Sequence, residues 1–437
     1  MYLKTPKRYS KGKQRRSPIS LRWLWLWVLT PIVIVVGVQL YKRRDEFAPP
    51  VQEAISNVIQ SVQSGVSTVV APTATATENP SAKLNSAEND WREGRIEAAV
   101  NSYEVIVSAL PNDVTVHNRL AFGLMMEGRD QEALSASEAA VTANPFSSDA
   151  WAYRALALER NDRAGESIAS ALRALELDPK NARAMAFLAL AYYSAGNYEL
   201  AKSTSDQAIA ADSGSFEALN VRGVIAQSVE FDRDAAKKYY QQAYDIAPKI
   251  PYLAVDLANI LYTLGVSSGD AATQTKNLDD AISILSDVIE VNPKNGLALF
   301  ALGTLYFRGQ GNFSQAAEML SRCVDANPDS IDCNAYLGRV QSSLDDNESA
   351  IKHLQKAVDL GSQFPYYYFW LGRSQKSLGL CTQALPNLRK GRELAVKAEI
   401  DDVISASDDL IRECEAATGI ISSTPTPEST AEATEAP

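Results

Sequence analysis

"NARAMAFLALAYYSAGNYELAKSTSDQAIAADSGS", residues 181–215, decides the fold of this 437-residue chain. Immediately upstream lies Pro179, and the prolines at 111, 145 and 179 stand 34 residues apart, each ending a helix. A period of that length marks a stacked repeat, and the pattern implies two helices per unit. The register can be laid down nine times. Its small positions on the first helix are Ala87, Ala121, Ala155, Ala189, Gly223, Ala258, Gly303, Gly338 and Gly372. On the second helix alanine recurs at 99, 133, 201, 236, 281, 316, 350 and 384, and Ser167 stands in for it in the third unit. Small side chains let two antiparallel helices approach closely, and the prolines stop the second helix before the next unit begins.

Within the quoted stretch, Leu188, Ala189, Tyr192, Gly196, Ala201 and Ala208 sit where a tetratricopeptide repeat carries its Leu, Gly or Ala, Tyr, Gly, Ala and Ala. The chain resembles that family over residues 83–395. The resemblance implies an all-α fold, a right-handed α-solenoid of nine helix pairs. Residues 396–418 then supply the capping helix an array requires, with Val403, Ile404, Leu410, Ile411 and Cys414 at helical spacing and Asp401, Asp402, Asp408 and Asp409 left polar. Two departures, "VSSGDAATQTK" (266–276) and the extra residue in "RGQGNF", are Gly- or Ser-rich and are expected to form surface loops.

The N-terminal region has a different character. Trp23 to Tyr41, "WLWLWVLTPIVIVVGVQLY", is nineteen uncharged residues, long enough to span a bilayer as a helix, with tryptophans at one end and a tyrosine at the other. It runs directly into "KRR" with no small-x-small cleavage site, so an uncleaved anchor is expected, in contact with the lipid bilayer through 23–41. Eight basic residues precede the span and three follow it, which places the tail 1–22 in the cytoplasm and the array outside the cell membrane. Residues 42–70 read as a membrane-proximal amphipathic segment, with 51–70 a candidate homo-oligomer contact. Residues 71–82 and 419–437 lack the apolar content to fold and read as linker and tail.

The net charge is −11, but 1–44 holds eleven basic residues and no acid, leaving 31 basic against 53 acidic residues beyond it. An acidic body with a basic tail argues against nucleic acid as a partner. No catalytic constellation is found: H-E-x-x-H, P-loop, C-x-x-C and G-x-S-x-G patterns are all missing, and His117 and His353 lie in separate units. The expectation is a non-enzymatic protein with no cofactor and no metal site. Asn312 and Asn347 open N-x-S patterns, which matter only in a glycosylating compartment.

What the resemblance implies instead is a binding wall, lined by the first helix of each unit, for a protein or peptide ligand. Its inward positions fall on Asn118, Phe122, Met125 and Met126; on Leu156, Glu159 and Arg160; on Leu190 and Tyr193; and on Asn220 and Gln227. They continue through Tyr252, Asn259, Tyr262, Phe300, Phe307, Arg339, Tyr366, Phe369, Arg373 and Lys376. Aromatic anchors with interspersed amides suit an extended peptide. Asn118/Phe122 and Ala152/Leu156 do not reproduce the family's clamp for a terminal carboxylate. Two wider readings share this surface: a cytosol-facing receptor, and the targeting subunit of a separate enzyme.

Four cysteines remain. In "RCVDANPDSIDC" (322–333), Cys323 and Cys333 lie five residues either side of Pro328. A metal site, a redox pair, a staple or two alanine-sized fillers would each use such residues. Antiparallel helices joined at a turn bring equidistant positions level, and Cys381 and Cys414 are likewise symmetric about the turn that precedes the capping helix. Disulfides Cys323–Cys333 and Cys381–Cys414 are therefore predicted, on condition of an oxidising compartment.

Overall fold

In the computed structural model, which describes residues 80–419, helices end and begin where proline and cap residues stand. Asn144, Asp178 and Asn327 directly precede prolines, and each has the extended backbone that a following pyrrolidine ring enforces. Two residues beyond those prolines, Ser147, Asn181 and Ser330 accept a hydrogen bond from the backbone N–H three residues on and start the next helix. Pro251 and Pro365 instead occupy the first position of a helix, where a missing N–H costs nothing.

Nineteen α-helices result, and the described residues include no strand. They pair as α1 (Pro80–Arg92) with α2 (Ile96–Ala109), α3 (Val114–Met126) with α4 (Asp130–Ala143), and α5 (Ser148–Glu159) with α6 (Ala164–Leu177). Next come α7 (Ala182–Ser194) with α8 (Tyr198–Ala211), α9 (Phe216–Ser228) with α10 (Arg233–Ile246), and α11 (Pro251–Ser267) with α12 (Ala271–Val291). The last pairs are α13 (Gly296–Leu305) with α14 (Phe313–Ala326), α15 (Ile331–Ser343) with α16 (Asn347–Asp359), and α17 (Pro365–Ser377) with α18 (Cys381–Lys397), closed by α19 (Asp401–Thr418). This is an all-α solenoid of nine pairs and a closing helix. Residues 80–82, read as linker, form the first turn of α1, with Pro80 at its start. The segments 1–22, 23–41, 42–70 and 420–437, and the anchor and oligomer contacts assigned to them, lie outside the described residues. Among those described, no helix is long and apolar enough to cross a membrane.

The small positions act as the spacing suggests. A Cβ on Gly338 would lie 2.7 Å from Leu354 Cγ, and one on Gly372 would lie 2.5 Å from Leu388 Cγ, so in both pairs the partner helix occupies the room a side chain would need. Ser167 is fully buried, and its hydroxyl donates to the Ala155 carbonyl at 2.7 Å, which satisfies the polar atom that replaces alanine.

Both expected loops turn out differently. Residues 266–276 mostly lengthen α11 and α12, leaving a short turn in which Asp270 caps α12 through Thr273 N–H at 2.8 Å. Gly265, without a side chain, lets the added turn of α12 pack against α11, since a Cβ there would meet Asn277 at 3.2 Å and the Gln274 carbonyl at 3.3 Å. The extra residue of "RGQGNF" is taken up by a π-helical turn, Tyr306–Gln310, that ends at Gly311 with φ 63°. A single added residue in a helix is commonly absorbed in this way.

Both predicted disulfides are present, and the described residues have no free cysteine. Cys323–Cys333 joins α14 to α15 across a Cα separation of 5.8 Å, and Cys381–Cys414 joins α18 to α19 across 5.0 Å.

The array also closes on itself. A solenoid unit ordinarily touches only its neighbours, yet the turn between α1 and α2 docks on the connections after α10 and α12. Asn292, buried, accepts from Ile96 N–H at 2.9 Å and donates to the Gly94 carbonyl at 2.6 Å. Lys249 pairs with Glu93 at 3.1 Å and Lys294 with Glu97 at 2.9 Å. Gly94 has φ +76°, and a Cβ on it would lie 2.8 Å from Lys249 Cβ, so the seam demands glycine twice over.

Candidate functional site

The closed turn determines what becomes of the first helices of units two to seven. Phe122 on α3 meets Phe216 on α9 and Tyr252 on α11, with ring centroids 6.4 and 6.2 Å apart, and these rings plug the bore. One cavity beside the plug, about 250 Å³, is lined by Phe122, Met125, Met126, Leu156, Glu159, Arg160, Leu190, Asn220 and Tyr252 from the expected wall. Phe122, Met125 and Met126 are themselves almost wholly buried, so in this conformation they serve as packing. Asn118, one turn earlier on α3, is half-buried with its carbonyl oxygen unpaired. Tyr193 stacks on Tyr198 at 6.0 Å, Tyr262 is half-buried and Asn259 is exposed.

The chamber surrounds the expected Glu159, Arg160 and Asn220 with polar groups that were not anticipated, Asp256 and Glu217 among them. Asp256 accepts from Asn220 Nδ2 at 2.7 Å, and burial raises its pKa to about 6, opposed by that hydrogen bond and by Arg160. Burial likewise raises the Glu159 carboxyl, against a hydrogen bond from Ser194. Arg160 is bound to Asp130 at 2.5 Å. Glu217, 3 % exposed, is held by Arg183 at 2.7 Å, and that guanidinium lies 4.8 Å from the Tyr153 ring centroid.

Past the closure, units seven to nine present a different inner wall. Phe300 meets Tyr336 edge-on at 5.1 Å, and Tyr336 meets Trp370 at 5.8 Å. Arg339 on α15 lies between two rings, 4.8 Å from Phe307 in unit seven and 4.4 Å from Trp370 in unit nine. Arg308 sits 5.1 Å over Tyr336 and donates to its hydroxyl. Phe300, Phe307, Tyr336, Tyr366 and Phe369 are half-exposed, and Arg373 is exposed. Five of the expected residues, Phe300, Phe307, Arg339, Phe369 and Arg373, thus share one surface.

Tyr336, Trp370 and Arg308 were not anticipated there, although the first two carry a signal. They stand two residues before the small residues Gly338 and Gly372, as Tyr153 and Phe187 stand two before Ala155 and Ala189. Neither histidine is placed for chemistry. His117 is buried against the Pro111 carbonyl at 2.9 Å, and burial lowers the pKa of His353, which meets Asn334. Asn312 and Asn347 both take part in helix starts, Asn312 accepting from Gln315 N–H.

Family models described as tetratricopeptide repeat match residues 128–182, 187–251 and 297–330, which supports that family for the array. No curated protein matches the sequence. Among solved structures, a chain of the "APC/C hetero-tetramer Cut9-Hcn1" superposes with a TM-score of 0.57 at 14% identity, over 72% of this chain and 59% of that one. This chain therefore spans about three fifths of the length of that relative. A monomeric mutant of IFIT1, solved "with m7Gppp-AAAA", aligns with a TM-score of 0.50 at 17% identity, over 76% of this chain and 80% of that one. Pseudomonas aeruginosa pilF gives 0.43 at 17% identity, over 55% and 98%. At these identities the likeness concerns the fold alone.

Proposed function

We propose that this chain is a single-pass membrane-anchored scaffold that binds protein segments and supports assembly of an envelope complex, without catalysing a reaction. The observation that carries the reading is the half-exposed aromatic wall of units seven to nine, lying just beyond the closed turn whose own bore is plugged. Aromatic anchors on a rigid wall bind an extended segment with little loss of side-chain freedom, and truncating such anchors commonly costs more than 1 kcal/mol each. Full-length protein in mild detergent, carrying Phe300→Ala and Phe307→Ala together, is expected to capture its partners about tenfold less well than the parent. Undiminished capture argues against this wall.

The array faces away from the cytoplasm in this proposal. Two formed disulfides support that side, because such bonds persist in oxidising compartments, and so does the excess of basic residues before Trp23. Protease added to cells with an intact plasma membrane and a permeable outer barrier should digest the array. Protection of residues 83–417 would overturn this orientation.

A further inference from the structure

Arginine in this array is ordinarily balanced by carboxylate: Arg129, Arg160, Arg183, Arg222 and Arg392 each touch at least one. Among the described residues Arg92, Arg233 and Arg322 also lack an ion pair, but they are scattered along the chain, whereas the inner wall of units seven to nine gathers three such residues. Arg308, Arg339 and Arg373 make no ion pair among the described residues, and the groups that act on Arg339 are two tyrosines and the other two arginines. Burial and those two like charges push its pKa down. Nearby acids are engaged elsewhere: Asp332 by the Tyr367 hydroxyl, Asp402 by the Tyr366 hydroxyl, and Glu413 by Lys376.

The Arg339 guanidinium carbon lies over both the Phe307 and the Trp370 ring, 4.8 and 4.4 Å from their centroids, so aromatic carbon takes up much of its surroundings. What it offers is the edge of the plane, where its N–H groups point, and that edge matches the two oxygens of a carboxylate. Stacking fixes the fork in advance, so little side-chain freedom is lost when an anion arrives. Three like charges near one another, in a chain of net charge −11, are relieved by an anionic ligand.

We propose that this arginine ladder selects an extended acidic protein segment, whose carboxylates seat on Arg308, Arg339 and Arg373 while its apolar side chains rest on Phe300, Tyr336 and Phe369. The inference rests on the reading of this wall as a groove and adds the chemistry of its ligand. Adjacent helices pack about 10 Å apart, so an extended strand would present acids roughly every third residue to reach successive units. Nucleic acid fits less well. Phosphate backbones need a continuous basic track, and beyond Arg44 the chain has 31 basic against 53 acidic residues.

The probe is a displayed library of random dodecapeptides, selected on full-length protein in detergent. Selected sequences should be enriched in Asp and Glu by about threefold or more over the input, a bias of less than 1 kcal/mol per position. Arg373→Ala, which removes an exposed side chain, should reduce that bias, and Arg339→Ala with Arg373→Ala should abolish it. Phe300→Ala with Phe307→Ala should lower the yield of every class of peptide. Selected peptides without acidic bias, or a bias that survives the double arginine variant, overturn the ladder; if their yield still falls with the phenylalanine variant, the groove itself stands. Enrichment that emerges only after deletion of residues 420–437 assigns the site to this chain's own Glu428, Glu432 and Glu435. Tighter binding of an RNA dodecamer than of any selected peptide, lost in the arginine variant, assigns it to nucleic acid.

Discussion

Replacing Asn292 with alanine should unfasten the closed turn without unfolding the array. One side chain serves two backbone groups from the first unit, Ile96 N–H and the Gly94 carbonyl, at 2.9 and 2.6 Å and away from solvent. The two backbone groups also bond each other at 3.0 Å, so each keeps one partner, and the loss is that of two hydrogen bonds at about 0.5–1.5 kcal/mol each, about 1–3 kcal/mol together. The flanking ion pairs cannot make up the difference. Lys294–Glu97 and Lys249–Glu93 are largely exposed, and water screens pairs of that kind until little of their attraction is left. Native-state hydrogen exchange reads the effect directly: at 1.4 kcal/mol per decade, protection of the Ile96 amide should fall by roughly 5- to 150-fold. Amides in α17 should keep their protection, because units eight and nine make no contribution to the seam. Lys294→Ala should change Ile96 by no more than about twofold. Unchanged protection at Ile96 in Asn292→Ala, or an equal fall throughout the array, would refute the argument that this amide latches the turn.

Three further outcomes are expected. Asp256 has a folded pKa near 6, above the ordinary 3.8, so protonation favours the fold: that stability is full below pH 4 and is lost as pH rises through 6. Asp256→Asn should therefore stabilise the protein by on the order of 1–3 kcal/mol at pH 7.5 and leave it unchanged below pH 4, as measured by urea unfolding at both pH values. Gly372→Ala drives a methyl to within 2.5 Å of Leu388 Cγ and should cost about 1–3 kcal/mol in the same assay. Thiol titration of denatured protein purified without reductant should find no free thiol, and reduction should lower stability by up to about 2.8 kcal/mol for Cys323–Cys333 and about 3.8 for Cys381–Cys414; four free thiols would refute both bridges.

The nine pairs were legible because the determinants recur. A small residue at each crossing appears in every unit in the same register, and a proline closes the second helix in most of them, at 111, 145, 179, 248, 293 and 328, so one unit reads the others. The cysteine pairs were legible by symmetry about a turn. Closure was not, because Gly94, Lys249 and Asn292 are far apart in sequence and Gly94 and Asn292 occupy ordinary repeat positions, Gly94 in register with Gly128 and Gly196 and Asn292 before a proline as Asn144 is; only the folded curvature brings them together. The segment 266–276 was misjudged because its Gly and Ser content outweighed Ala271, Ala272 and Leu278, which continue a helix once α11 offers Gly265 to pack against. The wall of units seven to nine was half visible. Positions just after the small residue gave Arg339 and Arg373, whereas the aromatic positions two before it, Tyr336 and Trp370, were not singled out. The buried carboxylates Asp256 and Glu217 carry no periodic mark, and their environment exists only because distant helices converge.

The seam has a mechanical consequence. An open helical array behaves as a spring, bending a little at every joint. Here the first six units and the start of the seventh are latched into a washer that cannot uncoil without breaking the Asn292 contacts, while units eight and nine project as a lever arm. Bending is thereby concentrated at the joint between units seven and eight, and that is the joint Cys323–Cys333 staples. Cutting this one bond would soften the pivot that sets the spacing of Arg308, Arg339 and Arg373, while leaving the washer stiff.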